Sequence, residues 1–255
     1  MTTQEKLSIK DGVENIFSQV ESAAKQSGKD ANDIRIVLAT KTQTPEKINY
    51  AIECGIREIG ENRVQELLEK YDFINREGIK IHFIGTLQTN KVKYIIDKVD
   101  LIHSVNSIKL ADEIQKQAVK HGKIMDVLVE INADDEDSKT GIASENLYEL
   151  LYHTSKLSNV KVKGIMAIPP KAFSVDINHN FSTNMEQNVN ILQTNDFSGH
   201  YFKKIYKIFL DISAKKIDNI SMDILSLGMS ADFYDAILEG SNLIRPGRAV
   251  FGERV

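Results

Sequence analysis

Eight short apolar runs punctuate the chain, at 34–39, 58–60, 81–85, 101–105, 127–132, 162–168, 224–228 and 242–250. Each is nearly continuous and rich in Ile and Val, without clean polar alternation. Such runs suit strands covered on both faces, as in a parallel sheet. Between them the apolar spacing turns helical. Thr44-Pro45-Glu46-Lys47 opens one helix with an N-cap threonine and a proline at the first helical position. Ile48, Ala51 and Ile52 form its apolar face, and Gly55 ends it. Val64, Leu67, Leu68 and Tyr71 make the next stripe, and 108–119, 147–157 and 202–212 repeat the pattern. A helix over about 8–26 precedes the first strand.

The alternation runs eight times through 255 residues. That count and length favour a TIM-type (β/α)8 barrel over a doubly wound open sheet. The expectation is an α/β protein with an extra N-terminal helix and a single domain over 1–255. One stretch breaks the rhythm: 171–200 is rich in Asn, Ser and Thr with little periodicity, and reads as an insert or flexible loop.

Composition narrows the setting. With 42% hydrophobic and 27% charged residues, the chain suits a soluble globular fold. A net charge of −4 offers no basic excess for phosphate backbones, so no nucleic-acid partner is expected. Cys54 is the lone cysteine and cannot form an internal disulfide, which points to a reducing compartment. It reads as a small packed residue at a helix end, not a nucleophile. The N-terminus lacks an apolar signal segment, and no window is long enough to span a membrane. A cytoplasmic protein with no membrane partner is expected.

In a barrel, chemistry collects at the carboxyl ends of the strands. Lys41 follows the first apolar run. A lysine at a barrel mouth can be made neutral by low dielectric and can attack an aldehyde to form a Schiff base; it can also be a solvated strand-end residue. Asn62 follows the second run, as a helix N-cap or as an amide presented to a planar ligand. His82 lies inside the third run and reads as a hydrogen-bonded core residue. The last two units carry the strongest local signal. Gly228-Met229-Ser230-Ala231-Asp232 reads as a turn with Ser230 as N-cap of a helix over 231–238, an arrangement that attracts anions. Arg245-Pro246-Gly247-Arg248 adds fixed positive charge and a close backbone approach. Loops after strands seven and eight often hold phosphate in this fold, and strand one is their neighbour. An aldehyde phosphate such as pyridoxal 5′-phosphate (PLP) would bridge the lysine and the phosphate cup.

These segments carry a resemblance. Leu38-Ala39-Thr40-Lys41-Thr42, Gly60-Glu61-Asn62-Arg63-Val64-Gln65-Glu66, the segment from His82 to Lys91, Asp137-Ser138-Lys139-Thr140-Gly141, Gly164-Ile165-Met166-Ala167-Ile168-Pro169, Leu225 to Asp232 and Arg245 to Gly252 stand in an order that resembles the pyridoxal phosphate homeostasis family. That family is related to the barrel domain of alanine racemase. The resemblance runs from about Ile34 to Arg254, apart from 171–200. It implies PLP as cofactor, with Lys41 as the Schiff-base lysine and Asn62 beside the ring. It also implies Ser226, Met229, Ser230, Gly247 and Arg248 as the phosphate cradle and Arg245 facing the pyridine nitrogen. His82 joins the cofactor-binding set. The Asn-rich stretch, Thr40 and Gln43 depart from the usual pattern, and none of these removes a named contact.

Related racemases carry a second, mostly β domain that supplies a catalytic tyrosine, and this chain ends just past the eighth run. A racemase needs two acid–base groups, and none stands out beside Lys41. The reading is therefore a monomeric carrier for intracellular vitamin B6 homeostasis, with apo-PLP enzymes as possible recipients, no catalytic residue and no metal site. The alternatives are a PLP-dependent amino-acid racemase and a protein-interaction scaffold with a vestigial site.

Overall fold

The computed structural model describes residues 1–133, 141–169 and 187–252. Among them, nine strands form one sheet: β1 (Arg35–Ala39), β2 (Glu58–Glu61), β3 (Lys80–Phe83), β4 (Leu101–Val105), β5 (Met125–Asn132), β6 (Ile142–Ala143), β7 (Val160–Ala167), β8 (Ile220–Ser226) and β9 (Leu243–Ile244). The order β4-β3-β2-β1-β9-β8-β7-β5-β6, with a further β4–β5 pairing, closes the sheet on itself. β6 is a two-residue addition beside the carboxyl end of β5. The other eight strands make a closed parallel barrel, as the pattern predicts.

The helices are α1 (Thr3–Gln26), α2 (Pro45–Glu53), α3 (Val64–Lys70), α4 (Ile108–Lys120), α5 (Leu147–Thr154), α6 (Gln187–Lys215), α7 (Phe233–Leu238) and α8 (Arg248–Phe251). α1 starts ahead of the expected position because Thr2 and Glu5 form a capping box. Its Ile9, Val13, Ile16 and Val20 are buried at helical spacing. Thr44 caps α2 with Pro45 at its start, as expected, and Gly55 follows with φ 115°. None of the helices among the described residues is long and apolar enough to cross a membrane.

Two apolar layers result from the strand period of two. Leu38, Ile59, Ile102, Val127, Ile165 and Leu225 belong to the large cluster between strands and helices. Val37, Leu101, Leu128, Met166, Ile224 and Leu243 form a separate cluster inside the barrel. Each such fully buried aliphatic side chain contributes about 1.5–3 kcal/mol.

Three expectations are corrected. The eighth strand does not run over 242–250: β9 has two residues, and Pro246, which lacks an N–H, leads into α8. The helix expected over 231–238 starts at Phe233 with Asp232 at its N-cap position, not Ser230. The Asn-rich 171–200 stretch is helical from Gln187 onward. Its earlier part, the 137–140 motif and Arg254 lie outside the described residues.

Candidate functional site

Strand β1 delivers Thr40-Lys41-Thr42 to the carboxyl rim, and a buried polar network holds this loop. Thr40 donates its N–H to Gly60 O at 2.9 Å and its hydroxyl to Glu61 Oε1 at 2.7 Å. Lys70 Nζ donates to Thr40 O at 3.0 Å and to Glu61 Oε1 at 2.9 Å. Thr42 N donates to Glu66 Oε2 at 2.7 Å. Glu61 is fully buried, and burial pushes its carboxyl up against the opposing pull of Thr40 and Lys70. Thr42 sits at φ 66°, in the left-handed region that β-branched residues rarely enter. Lys41, half-buried, is thus carried by a backbone fixed on both sides.

The turn after β9 abuts the same rim. Ala39 N donates to Pro246 O at 2.7 Å. A Cβ on Gly247 would stand 3.1 Å from Ala39 O and 3.2 Å from Ala39 Cβ, so glycine allows this approach. Ser230 Oγ accepts from Gly247 N at 2.9 Å and Ala249 N at 3.2 Å. Two accepted bonds leave the hydroxyl hydrogen able to donate outward. Asp232 Oδ1 accepts from Met229 N at 2.6 Å and fixes the turn that carries Ser230. Arg248 is exposed at the start of α8.

Arg245 is 4% exposed, a charge taken into the interior. Its Nη1 donates to Ser226 Oγ at 2.5 Å and its Nη2 to Ala167 O at 3.0 Å. Burial lowers its pKa to about 10, while Asp232, Glu130 and Tyr201 oppose the fall, so it stays cationic at neutral pH. His82 is fully buried, with Nδ1 2.9 Å from His103 Nε2. Burial, with Arg35 and Lys80 adding to it, lowers its pKa to about 3.

Asn62 is not the N-cap of α3; Arg63 holds that position. The Asn62 Oδ1 atom is buried without a hydrogen-bond partner. Gly85 lies against its backbone, where a Cβ would fall 2.1 Å from Asn62 O. An orphaned carboxamide oxygen costs stability unless a ligand answers it.

Strand neighbours thus gather most of the predicted residues. The β1–β9 pairing joins the Lys41 loop to the Ser230–Gly247 turn, and Ala39 pairs with Gly60 in β2, ahead of Asn62. Arg245 and Ser226 are bonded to each other. His82 points instead to a polar chain within the barrel. His103, Glu61 and Lys70 were not singled out from the sequence. His103 had a usable signal: it holds the same third position in β4 that His82 holds in β3. Chemically, the site offers an amine, a hydroxyl among backbone amides, a buried guanidinium and an unanswered carboxamide. These fit a flat aldehyde phosphate, with the Asn62 oxygen as a buried acceptor that has no partner within the protein.

The comparisons with known proteins give the family and the fold. The family model for the alanine racemase N-terminal domain matches residues 46–255. A pyridoxal phosphate homeostasis protein of Aquifex aeolicus (strain VF5) is 39% identical over 239 residues, covering 94% of this chain and 95% of that protein. The crystal structure of an unknown protein from Bifidobacterium adolescentis superposes with TM-score 0.85 at 30% identity, covering 98% and 97% of the two chains. PipY of Synechococcus elongatus PCC7942, solved with PLP bound, has the same fold, with TM-score 0.73 at 24% identity over 92% of this chain and 100% of its own.

Proposed function

This chain belongs to the pyridoxal phosphate homeostasis family, and from that premise we propose that it binds PLP, with Lys41 as the Schiff-base residue, and serves as a carrier of the cofactor. The contact of Gly247 with Ala39 carries the reading, because it sets an amine-bearing loop against a turn built for an anion. Bound there, PLP would supply an aldehyde that condenses reversibly with an amine. Ser230 would donate to the phosphate, beside the first amides of α8 and the Arg248 charge. Met229 shapes the turn through its bond to Asp232. Asn62 Oδ1 would meet the ring edge. Arg245 would face the pyridine nitrogen and disfavour a second positive charge opposite it. That choice weakens the ring as an electron sink and suits storage better than carbanion chemistry. The wider reading is a monomeric cytoplasmic protein that hands PLP to apo-enzymes.

Purified protein mixed with PLP should turn yellow, and borohydride should fix the cofactor on Lys41. Lys41→Ala should show no fixed adduct. A wild-type protein that stays colourless and unlabelled would overturn the proposal. Solvent deuterium should not enter the α-carbon of amino acids incubated with the loaded protein. Rapid, Lys41-dependent exchange would favour a racemase.

A further inference from the structure

Beneath Arg245, polar side chains continue through the barrel interior to its opposite end. Ser226 Oγ lies 3.2 Å from His103 Nδ1. His103 Nε2 lies 2.9 Å from His82 Nδ1. His82 Nε2 faces Glu58 Oε2 at 3.4 Å. Glu58 in turn accepts two bonds from Arg35, from Nε at 2.9 Å and from Nη2 at 2.9 Å. Ser226, His82 and His103 are wholly buried.

One donor role in this chain is fixed, and it admits a single-direction set for the rest. A guanidinium cannot accept a hydrogen bond. Ser226 Oγ therefore accepts from Arg245, and its own hydrogen is free to go to His103 Nδ1, the arrangement adopted here. His103 Nδ1 then accepts, so its proton sits on Nε2. Nε2–H then donates to His82 Nδ1, which puts the second proton on His82 Nε2, 3.4 Å from Glu58 Oε2 but not hydrogen-bonded to it. In this arrangement the donors from Ser226 to His103 point away from the rim, and a carboxylate lies near the last imidazole. Burial holds both imidazoles neutral, as the scheme requires.

We infer that His103 and His82 are positioning residues for the pyridine-facing end of the site: through Ser226 they fix the plane of the Arg245 guanidinium. The inference deepens the PLP reading and rests on it for its functional meaning, though the chain itself exists without cofactor. If His103 loses its acceptor, the Ser226 hydrogen has nowhere to point, and the hydroxyl turns away from Arg245. One acceptor, Ala167 O, then remains for a buried cation.

The test begins on protein freed of PLP. Long-range ¹H–¹⁵N spectra of histidine-labelled chain should show two non-titrating neutral imidazoles, both with the proton on Nε2. His82→Asn and His103→Asn assign them. A proton on Nδ1 at either position, or an imidazolium at neutral pH, would overturn the scheme. Resolved Arg245 Nη resonances, expected for a guanidinium locked by two acceptors, should merge in His103→Phe and return in His103→Asn, whose Oδ1 can replace Nδ1 as acceptor. Unchanged Arg245 signals in a folded His103→Phe would sink the positioning role. In loaded protein, His103→Phe should shorten cofactor retention about tenfold, and His103→Asn should recover most of it. Failure of the wild type to take up PLP would instead strike only the earlier proposal, because the spectra of the cofactor-free protein still decide this one.

Discussion

The same strands present two different faces. Outward, toward the helices, the strands offer mainly aliphatic side chains, which join one large apolar cluster. Inward, apolar residues such as Val37, Leu101, Leu128 and Ile224 share the interior with His82, His103, Ser226 and Arg245. Both faces are buried, so burial does not separate them. What separates them is whether a side chain fills volume or must satisfy a directed bond. The outer layer tolerates any well-packed aliphatic set. The interior carries a polar network in which each member fixes the next, and such networks hold up only when complete.

The largest effect should come from the outer layer and leave the site alone. Phe202 on α6 is wholly buried in it. Phe202→Ala should lower unfolding stability by about 3–5 kcal/mol. Cofactor retention per folded molecule should not change, as measured by urea unfolding and by PLP release below the transition. A matching loss of retention would show that the two faces are not independent.

Arg245→Met should do the reverse. It exchanges a buried charge, bonded only to neutral oxygens, for an apolar chain of similar length, so stability should stay within about 1 kcal/mol of wild type. Retention should fall about tenfold to a hundredfold, because charge-assisted bonds are lost at the pyridine end. A variant that unfolds like Phe202→Ala would mean that Arg245 is a packing residue.

This division also explains what the sequence reveals. The runs at 34–39 and 127–132 are legible as strands because the outer face supplies Ile, Val and Leu at every second place. Their inward residues are then hidden, since a histidine within an apolar run looks like a tolerated exception. His82 could be noticed alone, but its bond to His103 depends on the register between β3 and β4, which pairs His82 with Leu101. The eighth run misled for a related reason: Ala249 and Val250 are apolar because α8 packs on α1, where a Cβ on Gly12 would come within 2.8 Å of Ala249 O. Ser230 was recognisable as a capping residue, but the amides it serves belong to α8, not to its own helix. The clamp by Glu61 and Lys70 joins a strand end to a helix end, a spacing with no sequence signature.

Acid separates the faces in another way. The aliphatic and phenylalanine side chains of the outer layer do not titrate. His82, with its pKa lowered from 6.5 to about 3, takes up no proton in the folded state while the unfolded chain does. A depressed folded-state pKa gives stability that is complete above the unfolded value and lost as pH falls from 6.5 toward 3. His82→Phe should therefore lose less stability on acidification, by about 1.4 kcal/mol for each pH unit in that window. Urea titrations at pH 7, 6 and 5 measure the difference. Parallel curves for the two proteins would mean that the ring is protonated in place.

The smallest effect tests whether the rim trades stability for placement. Thr42 holds φ 66° beside Lys41, and its N–H is tied to Glu66. A β-branched residue there stores about 1–3 kcal/mol of strain. In an unstrained loop, a change to glycine costs about 0.5–1 kcal/mol through the flexibility of the unfolded chain. Here relief of strain should outweigh that cost, so Thr42→Gly should gain about 1 kcal/mol. The same freedom lets the Lys41 backbone move, and retention should drop about twofold to threefold, since a looser lysine must be ordered again at each binding event. Thermal unfolding and PLP release on one preparation measure both. A lower melting temperature with unchanged retention would show that the left-handed threonine is simply well accommodated, and that the strain imposed on the rim has no part in holding the amine.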